Sequence, residues 1–347
     1  MKFGLFYLPT YLPGYRDAHT HYRNMVDQIQ FADRNGIDYV WMVEHHFVRH
    51  GGLISQNFPF LSYIAGKTSR IRLGTGATVL ALNDPVRVAE MGALLDNLSD
   101  GRFDWGVGRG FLRDEFDAFG VEMRESRARM EEGIDMVRKA WAEHPLSFEG
   151  KYRSLKGLPV LPPPLQRPHP PIWIACFLTQ ESFEWTAREG HNLLYVAYHV
   201  TPPMARERIG WYLNALKANG RDAAKHEVCA VYHMHCSETD AGLRAIVEKP
   251  MAEYSDAGAE ASRRPPDPEA YKGYTAREDY HKQNSFEMYF PDRVLMGEPK
   301  RIIDRIQVMK ASGITQVGML LDYGSIPHEE VMRSLQRFVD KVLPHVG

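Results

Sequence analysis

The sequence predicts an α/β fold, a (β/α)8 TIM barrel with insertions, and three observations support this prediction. Short runs rich in apolar and β-branched residues alternate with longer amphipathic stretches along the whole chain of 347 residues. The alternation occurs eight times, which favours a closed barrel over an open sheet. No linker rich in Pro, Gly or Ser divides the series, so we expect a single domain over residues 1–347.

The expected barrel strands are the eight short apolar runs. They are Lys2–Tyr7, Tyr39–Val43, Arg72–Gly76, Phe103–Val107, Ile172–Cys176, Asn192–Val196, Glu227–His235 and Gln316–Leu321. Residues typical of helix ends lie between them: Gly36 and Gly220 each follow a helical stretch, and Pro85 opens another.

Two stretches depart from the alternation, and we expect both to be insertions. Residues 146–165 combine a hairpin-like segment with a Pro-rich run. Residues 251–298 are polar and follow what the pattern gives as the seventh helix. Loops of that length are usually functional covers or disordered segments, and we expect this one to be a mobile cover.

Composition and charge argue against several kinds of partner. The chain has 44 acidic and 42 basic residues, so it has no overall attraction for nucleic acid or an anionic membrane. No apolar stretch is long enough to span a bilayer or to act as a secretion signal. Cys176, Cys229 and Cys236 lack CxxC spacing, which fits a reducing compartment. We therefore expect a cytoplasmic protein without nucleic-acid or membrane partners.

The second expected strand runs directly into Glu44-His45-His46-Phe47. In a barrel of this kind the carboxyl ends of the strands form the active face, so a carboxylate and two imidazoles are expected at its rim. Imidazole titrates near neutral pH and can accept or donate a proton in catalysis. A histidine that only packs at a strand end is an equally good interpretation of these residues alone.

The fourth expected strand leads into Gly106, Gly108, Arg109 and Gly110. Glycines allow backbone to approach a ligand closely, and arginine binds anions through two parallel N–H groups. The GxGxG spacing differs from the dinucleotide fingerprint, and no P-loop occurs, so a nicotinamide or nucleoside-triphosphate site lacks support. Taken alone, the motif is explained somewhat better by a tight turn with a surface arginine.

After the fifth strand, Thr179 is placed as the cap of a helix, with Ser182 in its first turn. Free amides at a helix start attract anions, so these two hydroxyls together with Arg109 predict a site for one phosphate monoester. Ordinary capping also accounts for Thr179, and Glu181 would lie close to any such phosphate.

His233 and His235 in the seventh strand raise the question of a metal. Barrel metallohydrolases use such a pair at the first strand together with carboxylates from later strands. No matching set of carboxylates can be identified in this sequence, so we expect a structural or pocket-lining pair and no metal site.

Taken together, the motifs resemble those of the bacterial luciferase-like flavin-dependent monooxygenases. The segments that carry the resemblance are Glu44–Phe47, Leu73–Leu80, Asp84–Arg87, Leu98–Phe103, Val107–Phe111, Glu125–Arg127, Pro171–Trp173 and Gly297–Lys300. They occur in the family's order and span most of the chain. The resemblance implies a luciferase-like (β/α)8 barrel whose cofactor is reduced FMN delivered by a partner flavin reductase, or deazaflavin F420 in one branch.

The resemblance also implies roles for particular residues. His45 matches the histidine beside the reactive edge of the flavin and is the expected catalytic residue. Gly76 and Ala77 match a strand end with a non-prolyl cis peptide under the flavin ring. The remaining expected cofactor-binding residues, most of them around the phosphate, are Arg109, Gly110, Arg127, Thr179, Gln180 and Ser182.

The activity implied by the family is oxygenation of a small organic substrate, an aldehyde or a related apolar compound, through a C4a-(hydro)peroxyflavin. Gly108 and Leu178 replace a cysteine and a glutamate of luciferase itself, which argues against light emission. The candidate pocket residues are Phe6, Phe111, Trp173, Tyr198 and His199.

One further expectation concerns assembly, and three alternative functions stay open. By analogy with the family we expect a homodimer through the helices after strands two and three. The alternative functions are an F420-dependent oxidoreductase of the same fold, a barrel metallohydrolase and a non-catalytic flavin-binding protein.

Overall fold

The computed structural model describes residues 1–272 and 286–347. Its strands are β1 (Lys2–Tyr7), β2 (Tyr39–Met42), β3 (Arg72–Thr75), β4 (Thr78–Val79), β5 (Phe103–Gly108), β6 (Leu146–Glu149), β7 (Ser154–Leu158), β8 (Ile172–Cys176), β9 (Asn192–Val196), β10 (Val228–Cys236), β11 (Leu295–Gly297) and β12 (Gln316–Leu320). The first eight helices are α1 (Ala18–Arg34), α2 (Asn57–Ala65), α3 (Pro85–Leu98), α4 (Arg113–Phe119), α5 (Ser126–Ala142), α6 (Gln180–Glu189), α7 (Pro202–Ala218) and α8 (Asp240–Ala261). The helices Phe286–Tyr289, Pro299–Ala311, His328–Lys341 and Leu343–Val346 follow.

Parallel pairing closes the sheet into a barrel. The barrel strands are β1, β2, β3, β5, β8, β9, β10 and β12, and the short β4 pairs with β5. Closure comes from β1 against β12, with Lys2 opposite Gln316, and from β9 against β10. The predicted (β/α)8 fold is confirmed, and each predicted strand end agrees with the observed end to within one residue.

Aromatic side chains fill the amino-terminal half of the barrel. The Trp41 ring stacks on Tyr39 and meets Trp173 edge-on at 5.1 Å between ring centroids. The Trp173 indole N–H donates to the buried carboxylate of Asp104 at 3.0 Å, and Arg72 donates to the same carboxylate. Trp173 was expected in the substrate pocket, but the structure places it in this amino-terminal half of the core. It lies two residues before Ala175, which is a residue of the same strand that lines the pocket.

The glycines of β3 and β5 make room for neighbouring atoms of the barrel. A Cβ on Gly74 would lie 2.2 Å from the Trp41 ring, and one on Gly106 would lie 1.9 Å from the Thr75 carbonyl oxygen. The Thr75 hydroxyl accepts from the Gly106 N–H at 2.9 Å. Gly106 and Gly108 therefore lie in a strand rather than in the tight turn considered for this motif.

The stretch 146–165 packs outside the barrel. β6 and β7 form an antiparallel hairpin whose turn is held by Glu132 of α5. The backbone amides of Lys151, Tyr152 and Arg153 donate to the Glu132 carboxylate at 2.7, 3.0 and 3.0 Å. These three hydrogen bonds to one carboxylate fix the hairpin on α5.

The second stretch, 251–298, leaves the carboxyl edge of the barrel. β11 pairs with the end of β10, with Met234 opposite Leu295, so the chain is back at this edge when the helix Pro299–Ala311 begins. That helix returns to the amino-terminal edge, where the Thr315 N–H donates to the Val228 carbonyl. α8 is thus part of the excursion, and its assignment as the seventh return helix is wrong. Residues 273–285 of this stretch lie outside the described residues, so the expectation of a mobile cover stays a prediction there.

None of the helices in residues 1–272 and 286–347 is both long and apolar enough to cross a membrane.

We predict that Gly106→Ala lowers the free energy of unfolding by about 3 kcal/mol, because its Cβ would collide with backbone that a closed barrel cannot move aside. Gly210→Ala in α7 is the matched control, since no atom of the described residues outside its own stretch of helix lies within 4 Å of the added Cβ. The control should gain about 0.5–1 kcal/mol from helix propensity. Chemical denaturation measures both, and wild-type stability in Gly106→Ala would contradict the packing argument.

Candidate active site

The carboxyl ends of the barrel strands surround a cavity of about 140 Å³, which we call the mouth cavity. It lies on the active face expected for this fold. The residues that were predicted for the site and that border this cavity are Phe6, His45, Gly76, Ala77, Arg109, Gly110, Phe111 and Tyr198. The Gly76–Ala77 peptide is cis.

His45 is held by a buried carboxylate. Its Nδ1 lies 3.1 Å from Oε1 of Glu115, and the same oxygen accepts the His46 backbone N–H at 2.8 Å. Glu115 belongs to α4 and has no exposed surface. Because a carboxylate oxygen can only accept, we assign the proton of neutral His45 to Nδ1, which leaves Nε2 as the basic nitrogen.

Sequence reasoning missed Glu115. The available signal was an acidic residue beside Phe116 on the apolar side of a short helical stretch, where a carboxylate must find donors. One carboxylate in a strongly charged stretch such as Arg113-Asp114-Glu115 also fits a solvated surface, so the sequence alone does not single it out.

Glu44 and His46, on either side of His45, make contacts that connect neighbouring parts of the fold. Glu44 Oε2 accepts from the Val79 amide at 3.0 Å and Oε1 accepts from the Asn83 side chain at 2.7 Å, which joins the end of β2 to the chain after β3. The His46 ring lies edge-on to Phe119 at 4.8 Å and does not border the mouth cavity. Of the two adjacent histidines, only His45 is placed for chemistry.

A second depression of about 360 Å³, the anion groove, adjoins the mouth cavity, and Arg109 borders both. Arg127 Nη2 donates to the Ser182 hydroxyl at 3.1 Å, and Thr179 Oγ1 lies 2.8 Å from Ser182 Oγ. Thr179 is the cap residue of α6, but its hydroxyl makes no capping bond to the helix backbone. The structure thus brings Arg109, Arg127, Thr179 and Ser182 together, as predicted.

The charge of the anion groove is mixed but favours anions. Its lining residues with charged side chains are Arg109, Arg124, Arg127, Lys272, Glu181 and Glu269. Glu181 lies 3.4 Å from Arg127, and its side chain is 76% exposed, so solvent screens its repulsion of a bound anion.

Besides Trp173, two predicted residues lie outside both depressions. The Gln180 side chain donates to Glu184 on the exposed surface of α6. His199 packs against Tyr198, with ring centroids 4.1 Å apart, and edge-on to Phe177 at 5.2 Å, so it backs the cavity wall. The structure therefore gives no support to Gln180 as a cofactor ligand.

His233 lies among aromatic rings rather than in a metal site. It meets Tyr198, Tyr254 and Tyr323 edge-on at 4.5, 4.6 and 4.9 Å, and neither ring nitrogen has a hydrogen-bond partner among the described residues. Burial lowers the pKa of His233 to about 3. Within the described ranges, no group of three His, Cys, Asp or Glu side chains is placed to hold a metal ion.

We predict that His233→Phe stabilises the protein by about 1 kcal/mol near pH 7. The reason is that a buried ring whose nitrogens have no hydrogen-bond partner among the described residues becomes apolar. Below the ordinary histidine pKa, His233 binds a proton in the unfolded chain but not in the folded protein. The free energy of unfolding of wild type therefore decreases as the pH is lowered. The advantage of the variant should grow by roughly 1 kcal/mol per pH unit from pH 6.5 towards pH 4. Urea denaturation across this range measures it; a constant difference between the two proteins would contradict the assignment.

Comparison with known proteins assigns the family. The family model for luciferase-like monooxygenases matches residues 1–316. The chain is 25% identical to the oxygenase component of the flavin-dependent trigonelline monooxygenase of Acinetobacter baylyi, over 99% of this chain and 95% of that protein. Among solved structures it is similar to monooxygenase RslO1 from Streptomyces bottropensis, with a TM-score of 0.84, 31% identity and full coverage of both chains.

The same fold occurs in an F420-dependent secondary alcohol dehydrogenase solved with an F420-acetone adduct. The TM-score is 0.77 at 18% identity, over 100% of this chain and 99% of that one. The match of the family model to most of the chain decides the assignment: this protein belongs to the luciferase-like monooxygenase family.

Proposed function

We propose that the protein uses reduced FMN and O2 to oxygenate a small organic substrate, an aldehyde or a related apolar compound. The observation that carries this proposal is that the mouth cavity and the anion groove adjoin, since Arg109, Ala175, Cys176 and Phe177 border both. A ligand with a planar ring at one end and a phosphate at the other fits such a pair. The flavin-dependent relative of similar length supports the same cofactor class.

The residues present fit FMN at both ends. In the anion groove, Arg109, Arg127, Thr179 and Ser182 supply charged and hydroxyl donors for a phosphate dianion. In the mouth cavity, a Cβ on Gly108 would lie 3.3 Å from that of Ala77, so glycine leaves this wall flat for a ring. When bound, the reduced flavin would supply the electrons that activate O2 for transfer of one oxygen atom.

His45 is the group that moves protons in this proposal. Its Nδ1–H is held by Glu115, so Nε2 is the nitrogen that can accept a proton from the reacting groups and return it. Glu115 acts through His45 by fixing its tautomer and orientation, as a positioning carboxylate does in other histidine-based sites.

The remaining wall of the mouth cavity excludes water. The apolar and aromatic side chains that supply it include Phe6, Leu8, Val43, Val79, Phe111 and Phe177. A dry wall would keep water from the reacting atoms and would strengthen the electrostatic effect of His45.

The proposed partners follow from the same considerations. A flavin reductase would supply reduced FMN, as the words "oxygenase component" in the name of the relative suggest. We propose a homodimer through α2 and α3, which expose Tyr63, Leu94 and Leu98. The three cysteines are free and buried, which fits the cytoplasm.

An F420-dependent oxidoreductase is the second candidate, because the anion groove would hold the phosphate of either cofactor. Such an enzyme would transfer hydride, consume no O2 and change the deazaflavin absorbance under nitrogen. The similarity to the F420-dependent structure is at the level of fold, whereas the monooxygenase structure is 31% identical. We therefore place FMN first.

We predict that Arg109→Ala weakens FMN binding by about 1.5–3 kcal/mol, because a charge-assisted set of hydrogen bonds to the phosphate is lost. Arg206→Ala on the exposed side of α7 is the control and should bind as wild type does. Calorimetric titration measures both proteins. Equal affinity of Arg109→Ala and wild type would remove Arg109 from the phosphate site.

We predict that His45→Ala keeps FMN affinity within a few-fold and slows oxygenation by about 10²–10⁴-fold, since a positioned proton carrier is lost. Glu115→Gln should slow it less, because an amide can still accept from Nδ1–H. Substrate-dependent O2 consumption measures turnover for each variant at saturating FMN. Wild-type turnover in His45→Ala would contradict the catalytic role of His45, and absence of turnover in wild type itself would favour a non-catalytic flavin-binding protein.

A further inference from the structure

We propose that Tyr271, in the segment after α8, is a positioning residue for Arg109, so that this segment completes the phosphate site. The inference rests on the proposed function, because it takes Arg109 as a phosphate ligand. Nothing in the sequence motifs pointed to Tyr271, which lies 162 positions from Arg109 along the chain.

Tyr271, Arg109 and Ser126 form one compact cluster. The Arg109 guanidinium carbon lies 3.8 Å from the centroid of the Tyr271 ring. Arg109 Nε donates to Ser126 Oγ at 2.8 Å, and the same hydroxyl lies 2.8 Å from the Tyr271 hydroxyl. The Tyr271 ring thus fixes one face of the guanidinium, and Ser126 fixes its Nε.

This arrangement reduces what the arginine loses when an anion binds. A free arginine side chain samples many rotamers and gives up that freedom on binding. Stacking on an aromatic face and a bond to a buried hydroxyl restrict it beforehand. Tyr271 and Ser126 are both buried, so solvent does not compete for these contacts.

The position of Tyr271 is itself set by neighbours of the anion groove. Asp267 accepts from Arg124 Nε at 2.7 Å, and its carbonyl accepts the Tyr271 N–H at 2.9 Å. The Tyr271 ring packs in a small apolar cluster with Phe116 and Met123. The contacts that hold Tyr271 in place thus include Arg124, a residue that also lines the anion groove.

Ion pairs between the segment after α8 and α4 hold this segment less strongly than the buried contacts of Tyr271 do. Arg264 bonds Asp114 at 2.5 Å and Asp117 at 2.6 Å, but all three side chains are about half exposed. Exposed pairs of this kind contribute little to stability. Arg264→Ala therefore serves as a matched control, because it removes contacts of the same segment without touching the Arg109 cluster.

The test compares the affinities for reduced FMN and reduced riboflavin, which differ only in the phosphate. Anaerobic calorimetry gives the FMN-over-riboflavin preference of full-length wild type, Tyr271→Leu, Tyr271→Phe, Arg264→Ala and Arg109→Ala. A tyrosine with a merely structural role would change both affinities together and leave the preference unchanged.

We expect Tyr271→Leu to lower the preference about 5- to 20-fold, the range of one buried cation–π contact. Tyr271→Phe keeps the ring over Arg109 and should retain at least half of the preference, and Arg264→Ala should retain all of it. A wild-type preference in Tyr271→Leu overturns the proposal, and so does a Tyr271→Phe variant as impaired as Tyr271→Leu. An unchanged preference in Arg109→Ala would instead remove the phosphate assignment on which the proposal rests.

Discussion

One buried carboxylate organises the reacting half of this site. Glu115 has no exposed surface; its Oε1 accepts two hydrogen bonds, whereas its Oε2 has no partner among the described residues. A buried carboxylate needs such donors. The donors are the His45 ring and the His46 backbone, so the loop after β2 must lie against α4. The same requirement decides which imidazole nitrogen carries the proton, and therefore which nitrogen can react.

The two halves of the site are joined by a short piece of chain. Residues 109–116 run from the end of β5 into α4 and contribute Arg109 to the anion groove, Phe111 to the mouth cavity and Glu115 to His45. Phe116, at the end of this piece, contacts the apolar cluster of Tyr271. A single turn-and-helix segment thus fixes the proposed phosphate anchor and the proposed proton carrier relative to one another.

Much of the fold could be predicted because buried parallel strands are continuous apolar runs and barrel repeats alternate regularly. The assignment of α8 failed for a physical reason: a helix of 22 residues carries the same amphipathic signal whether it returns to the barrel's amino-terminal edge or lies across its mouth. Only the pairing of β11 with the end of β10 distinguishes the two.

The site was partly predictable for similar reasons. His45 and Arg109 could be predicted because they follow strand ends, and the position of a residue along a barrel strand decides whether it faces the pocket. Trp173 was misplaced because alternation along a strand predicts an inward side chain but not its depth. Glu115 and Tyr271 depend on tertiary contacts between distant segments, which periodicity does not encode.

The central claim is that the mouth cavity holds reduced flavin in a dry environment while the anion groove binds its phosphate. The most direct measurement mixes the anaerobic complex of the protein and reduced FMN with O2, without substrate, and follows the absorbance of oxidised FMN. The account predicts that oxidised FMN forms from the bound complex at least about ten times more slowly than from free reduced FMN under the same conditions. The reason is that the cavity shields the reacting groups from water. Formation of oxidised FMN as fast as in free solution, with reduced FMN shown to be bound beforehand, would contradict it.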